Sequence, residues 1–100
     1  MSVLRDINKL KHLTNSVKIL KALANERRLA ILIFLSKNET KKLGWCVADI
    51  ARELKIPYKA ASKHLILLEQ NKLVDRLRVG FEVEYMTSDS GKYLLKHILK

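Results

Sequence analysis

The fold is decided by residues 47–71, which read VADIAREL (47–54), KIP (55–57) and YKAASKHLILLEQN (58–71). The first segment is a short amphipathic helix that we expect over 46–54. A tight break at 55–57 leads into a longer helix whose inner stripe is Ala61, Leu65 and Leu68. Proline suits the first turn of that helix, because it lacks only a donor that would be unpaired there. Two short helices joined by such a turn indicate a helix-turn-helix over about 46–71, whose second helix fits the DNA major groove.

A β-hairpin is predicted directly after these helices, over about 73–87. LVDRLR (73–78) and FEVEYM (81–86) alternate apolar and charged residues, and Val79-Gly80 between them favours a turn. Arg76 and Arg78 share one strand face and approach the hairpin tip. Glu82 and Glu84 on the returning strand offer an alternative, in which they pair with the arginines across the hairpin.

Helices are also predicted on both sides of this unit. The first covers about 3–23 with apolar residues near a 3.5-residue spacing, and Thr14-Asn15-Ser16 leaves open a division into two helices. Asn25 is expected to cap a nearly all-apolar core helix at 26–35, followed by a polar loop at 36–44. Asn71, in a left-handed conformation, is expected to end the recognition helix. Ser88 or Asp89 is expected to cap a last helix over 90–99.

Together these elements predict a mainly α fold with a small β-hairpin, a winged helix-turn-helix that occupies residues 1–100 as one domain. The helices at 3–23 and 90–99 are more apolar than a monomer of this size requires. About half of their apolar residues are expected to pack on the domain itself. The rest predict a homodimer interface, because two-fold dimers are the commonest assemblies.

The composition favours a nucleic-acid partner and a cytoplasmic location. The formal net charge is +10, and such a positive field attracts phosphate backbones. Residues 1–56 carry 12 basic and 5 acidic side chains, and residues 57–100 carry 8 and 5. The half with the predicted second helix and hairpin is therefore the less basic one. The single cysteine forbids an internal disulfide, and no signal peptide or bilayer-spanning run is present. No glycine-rich phosphate loop, carboxylate pair or activated nucleophile points to an enzyme.

Helical geometry selects the residues that we expect to meet double-stranded DNA. With the inner stripe facing the core, the N-terminal part of the second helix presents its outer face to the groove. The predicted contacts there are Tyr58, Lys59, Ser62 and Lys63. Arg76 and Arg78 are expected to reach the backbone or the minor groove from the hairpin. Arg52 or Lys55 is expected to add a phosphate contact.

Three passages resemble the ArsR/SmtB family of winged-helix repressors. They are LKALANERRLAIL (20–32), CVADIA (46–51), and ASKHLILL (61–68) followed by LV (73–74). The resemblance spans roughly residues 16–99. It implies a dimeric transcriptional regulator, usually a repressor, whose first and last helices form the dimer. Two recognition helices in a dimer imply a roughly palindromic operator with half-sites about one helical turn apart.

The chain departs from the metal-sensing members of that family, so we predict no metal site and no cofactor. Ala48 stands where the second cysteine of the third-helix signature is usual, and Gly91 stands two positions after Asp89, where a histidine is usual. Cys46 is expected to be a small buried hydrophobe. The alternatives are a redox-responsive regulator acting through Cys46, and a winged-helix module for protein or RNA contact. The sequence identifies no small-molecule effector.

Overall fold

The computed structural model describes residues 7–99 of the chain, with side chains from residue 12 onward. The part of the predicted first helix that precedes residue 7 lies outside the described residues. The elements in chain order are α1 (Ile7–Leu23), α2 (Glu26–Lys37), β1 (Trp45–Cys46), α3 (Val47–Leu54), α4 (Tyr58–Gln70), β2 (Val74–Val79), β3 (Glu82–Thr87) and α5 (Asp89–Ile98). This is a winged helix-turn-helix, as the sequence predicts, and no described helix is long and apolar enough to cross a membrane.

α1 is one continuous helix, so the possible division at Thr14-Asn15-Ser16 was wrong. Poor helix formers of this kind cost less than about 0.7 kcal/mol each, which does not end a helix that lacks Gly or Pro. The corner after α1 is held by Arg28, whose Nε donates to the Ala22 carbonyl at 2.8 Å. Asn25 is confirmed as the N-cap of α2, because its Oδ1 accepts from the Arg28 backbone N–H at 3.1 Å.

The helices of the helix-turn-helix end in the same motif. After α3, Lys55 takes a left-handed conformation with φ 56°, and Ile56 N donates to Ala51 O. After α4, the left-handed residue is Lys72 with φ 59°, and Leu73 N donates to Leu68 O. These are Schellman closures, which turn the chain sharply without an added loop.

Two details at the ends of α4 correct the expectations. Asn71, with φ −94°, is not the left-handed residue. Its backbone N–H and its side-chain amide both donate to Leu67 O, so helical bonding continues to Asn71 and the left-handed residue is Lys72. Pro57 precedes the first turn as the N-cap rather than forming part of it.

The sheet has three antiparallel strands in the order β1-β3-β2, one strand more than predicted. Cys46 belongs to β1 and caps α3 rather than lying inside that helix, because it pairs with Glu84 of β3. The turn also lies one residue later than expected, since Val79 pairs with Glu82 and the loop is Gly80-Phe81. Gly80 has φ 63° at the first loop position, which a tight hairpin turn of this kind requires.

The core lies between the helices and the inner face of the sheet. α2 is the central helix, as predicted, and it contacts α1, α3, α4, α5 and β3. The predicted inner stripe of α4 is confirmed, because Ala61, Leu65 and Leu68 are fully buried. The other largest fully buried side chains are Ile31, Leu32, Leu35, Ile50, Leu73 and Val74.

Ser88 joins α5 to the rest of the domain. Its Oγ accepts from Gly91 N at 3.0 Å, which confirms it as the N-cap of α5, and donates to Lys72 O at 2.7 Å. A side chain at Gly91 would collide with the Leu73 carbonyl oxygen. The start of α5 is therefore held directly against the end of α4.

Candidate nucleic-acid interface

The outer face of α4 carries four of the side chains predicted to contact DNA. Because the inner stripe is fully buried, the opposite face of the helix is fixed toward solvent. Lys59 and Lys63 are exposed, Ser62 is half-buried between them, and Tyr58 is 59% exposed at the first helical position. The structure therefore brings these four residues together in the N-terminal half of one helix, where a helix-turn-helix presents its base-contacting side chains.

The N-terminus of α4 adds polar backbone groups to this face. Pro57 supplies no side-chain cap, so the first N–H groups of the helix are left for an outside acceptor. The helix dipole makes the same end favourable for a negative charge. Both features favour a phosphate oxygen at this end of the helix.

The wing arginines form a second, separate group. Arg76 lines a shallow pocket of about 400 Å³ together with Glu69 of the last turn of α4 and Asp89 of α5. Lys59 lies ten residues before Glu69, which is about 15 Å along a helix. Arg78 lies further out, and its Nε donates to Gly80 O at 3.4 Å near the wing tip.

Cross-strand pairing of the wing arginines with Glu82 and Glu84 does not occur. Arg78 is opposite Val83 and Arg76 is opposite Tyr85, so both arginines point to one face of the hairpin. The two glutamates are opposite Val79 and Leu77 and point to the other face. Among the described residues neither arginine is in an ion pair, which leaves both guanidinium groups available.

Arg52 is held by an acidic neighbour, unlike the wing arginines. Its Nη2 contacts Asp49 Oδ1 at 2.8 Å, and Lys42 Nζ contacts the other carboxylate oxygen at 2.9 Å. The hydrogen bonds from Lys42, Cys46 and Arg52 lower the pKa of Asp49. Lys55, exposed at the turn between the helices, is the freer of the two predicted phosphate contacts.

Cys46 is half-buried rather than fully buried, because β1 lies at the edge of the sheet. Its thiol lies near the Asp49 carboxylate and contributes to the lowered pKa of that group. No three His, Cys, Asp or Glu side chains within the described part of the chain are grouped so that they could hold a metal ion.

Arg27 is a candidate that the sequence reasoning missed. It is exposed in the first turn of α2 and lines a shallow pocket with Leu54 and Ile56 of the helix-turn-helix. A positive side chain there opposes the dipole of its own helix, and that unfavourable placement was the available signal. Arg28 and Arg27 also act on half-buried His64, where burial and the two positive charges lower the pKa.

Phe81 is the second residue that was missed. The sequence reasoning placed it in the returning strand, but it lies in the two-residue loop and is 99% exposed. No part of the described chain covers its ring. The signal was the glycine before it, which moves the turn outward by one residue.

The chain is similar in sequence to two known transcriptional regulators. The chain is 35% identical over 80 residues to the transcriptional activator HlyU of Vibrio cholerae, across 80% of this chain and 69% of HlyU. It is also 29% identical to YbzH of Bacillus subtilis, an uncharacterised regulator of helix-turn-helix type, over 94% of that protein. No protein-family model matches the sequence.

Solved structures agree with the fold. The winged helix-turn-helix domain of Mb0332 from Mycobacterium bovis superposes with a TM-score of 0.77 at 28% identity, covering 91% of this chain and 80% of that one. It is described as a homodimeric DNA-binding domain of a possible ArsR-family transcriptional regulator. NolR from Sinorhizobium fredii superposes with a TM-score of 0.76 at 28% identity, covering 91% and 87% of the two chains.

Proposed function

Because the chain belongs to the ArsR family of winged helix-turn-helix transcriptional regulators, we propose that it is a homodimeric repressor of a palindromic operator. DNA binding and transcription regulation are the functions of this family. The observation that carries the proposal is the outer face of α4, where exposed lysines lie on a helix whose opposite side is fully buried. A rigid, basic helix face is what major-groove recognition requires.

In this proposal the two groups of contacts have different tasks. Ser62 and Lys63 hydrogen-bond base edges in the major groove, while Tyr58 and Lys59 contact the phosphates beside them. Arg76 and Arg78 bind the backbone or the minor groove from the wing, and Lys55 adds a phosphate contact.

The dimer in this proposal is formed by α1 and α5. α1 exposes Leu13, Val17 and Leu20 along one face, at positions four and three residues apart. α5 and its C-cap expose Tyr93, Ile98 and Leu99. Apolar surface on both terminal helices supports a second copy as the partner, as does the homodimeric state described for Mb0332.

DNA binding and operator symmetry are tested together by selecting bound duplexes from a random pool. We expect an inverted repeat whose half-sites lie about 10 base pairs apart, centre to centre. Enrichment of a single, unpaired motif would contradict the dimeric operator, and enrichment of no duplex at all would contradict the DNA-binding role.

The dimer is tested by Val17→Glu with Leu43→Glu as the matched control. Both residues are exposed, but Leu43 lies in the loop before β1, away from the α1 face. A buried charge at the interface disfavours association, so V17E should sediment as a monomer while L43E stays dimeric. Equal masses for the two variants would place the interface elsewhere.

The sign of regulation is tested with a reporter. HlyU is named an activator, whereas the ArsR resemblance favours repression. With the selected operator overlapping a promoter, we expect the protein to lower transcription, and a rise would make it an activator. In this proposal the protein acts on DNA in the cytoplasm.

A further inference from the structure

The tip of the wing combines a free aromatic ring with a neighbouring positive charge. Phe81 is 99% exposed and follows Gly80, whose carbonyl oxygen accepts from Arg78 Nε at 3.4 Å. β2 is six residues long, so the ring projects about 20 Å from the base of the wing. No described residue covers this ring, so it is free to contact another molecule.

The distribution of charge on the two faces of the wing indicates that this molecule is DNA. Toward the tip, Arg78 is opposite Val83 on a face that carries no carboxylate in register, whereas the opposite face carries Glu82 and Glu84. Nearer the base of the wing, Arg76 shares its pocket with Glu69 and Asp89, so Arg78 is the arginine that favours a phosphate. A phosphate backbone is attracted to the first face and repelled by the second. Arg78 is hydrogen-bonded to Gly80, the residue before Phe81, so a phosphate bound by Arg78 would lie near the loop that carries the ring.

We propose that Phe81 is an apolar wedge, which the wing inserts into the minor groove beside each half-site to partly unstack a flexible pyrimidine–purine step. This inference rests on the DNA-binding role proposed above. Apolar side chains that enter the minor groove act between base steps, and TA or CA steps open most easily. The wedge therefore gives the protein a preference for a flexible base step to which it makes no hydrogen bond.

The test uses Phe81→Ala with Val79→Ala as the matched control. The probe is the selected duplex with 2-aminopurine at the TA or CA step nearest the wing, whose fluorescence rises when the base unstacks. Wild type and V79A should both raise the signal. F81A should not raise it, and should bind about tenfold more weakly, which corresponds to about 1.4 kcal/mol. Its salt dependence should match wild type, because no charge is lost.

A second duplex, with a stiff A-tract in place of the flexible step, completes a cycle between protein and DNA. Wild type should lose affinity on the stiff duplex, and F81A should bind both duplexes equally. The F81A melting temperature should equal that of wild type, since none of the described residues covers the ring.

The outcomes separate this inference from the proposed function. Wild-type binding to no duplex would remove both. If wild type binds while F81A matches it in affinity and fluorescence, the wedge is wrong and the DNA-binding role stands. If F81A binds normally but loses regulation of the reporter, the ring contacts a protein partner, and the wedge is likewise overturned.

Discussion

The recognition helix α4 and the wing are supported in opposite ways. Beneath α4 lie three fully buried side chains, Ala61, Leu65 and Leu68. In β2 only the first residue, Val74, is buried, and every residue from there to Val79 is exposed. β1 pairs with β3 only at Trp45 and Cys46, so the outer part of the wing is a bare two-stranded ladder.

This difference suits two kinds of contact. Hydrogen bonds to base edges need side chains held in fixed positions, which a packed helix provides. Contacts to phosphates or to a deformable groove tolerate small movements, which a two-stranded ladder allows, because it is marginally stable by itself. The side chains that we expect to contact bases therefore lie on the packed helix, and those that we expect to contact the DNA backbone lie on the more flexible hairpin.

The largest expected effect is on stability. Leu65→Ala should lower the free energy of unfolding by about 3 kcal/mol, because it leaves a cavity under α4. Leu77→Ala, at a site 48% exposed in the wing, should change it by less than about 1 kcal/mol. Urea unfolding measures both. Comparable losses would show that the wing is as tightly packed as the helix.

The next effect is on sequence-specific binding. The double variant Lys59→Ala/Lys63→Ala should weaken binding to the selected duplex by about 100-fold, if each contact contributes about 1.4 kcal/mol. It should also narrow the affinity difference between that duplex and a scrambled one. The control is Lys37→Ala/Lys41→Ala, which removes the same charge from two exposed positions, the last residue of α2 and the loop that follows it. Equal losses of affinity in the two double variants would mean that the α4 lysines act only through their charge and not through specific contacts.

A smaller effect is expected from the wing. Arg78→Ala should weaken binding to the selected and scrambled duplexes in the same proportion, about tenfold, and lower the salt slope by about 1. Fluorescence anisotropy over a salt series gives both quantities, with Lys41→Ala as the control. A loss confined to the selected duplex would mean that the wing reads bases directly.

The smallest effect is a pH dependence of stability that arises in α4, through His64. Burial, followed by the charges of Arg28 and Arg27, lowers the pKa of His64 below its usual 6.5. The unfolded chain therefore takes up this proton first, so stability should fall as pH drops below about 6.5. His64→Gln should flatten that part of the stability curve, which urea unfolding at a series of pH values measures. An unaltered curve for H64Q would assign the pH dependence to other groups.

Local signals in the sequence were enough for most of the fold. Asn25 and Ser88 cap their helices because each side chain acts within three residues of itself. The inner stripe of α4 followed from helical periodicity. β1 was not predictable in this way, because two residues become a strand only through their partners in β3.

The site was less accessible from sequence for a similar reason. The two-residue loop lies at Gly80-Phe81 instead of Val79-Gly80, which changes each cross-strand partner by two residues and moves Phe81 out of the strand. Either loop places the arginines opposite odd-numbered residues of β3. A loop longer or shorter by one residue would have placed the glutamates opposite the arginines. Arg27 approaches the turn only through the packing of α2 on the helix-turn-helix. The roles of the α4 and wing residues on DNA stay predictions.

The hydroxyl group of Ser88 has a mechanical consequence. It bonds the first turn of α5 and the carbonyl of Lys72 at the same time, beside the point where Gly91 touches the Leu73 backbone. These contacts join α5 directly to the end of α4, so a movement of one helix acts on the other. A rotation of α5 against a second subunit would therefore tilt α4. A signal that changes the packing of the two subunits would then change the angle at which the recognition helices enter the DNA.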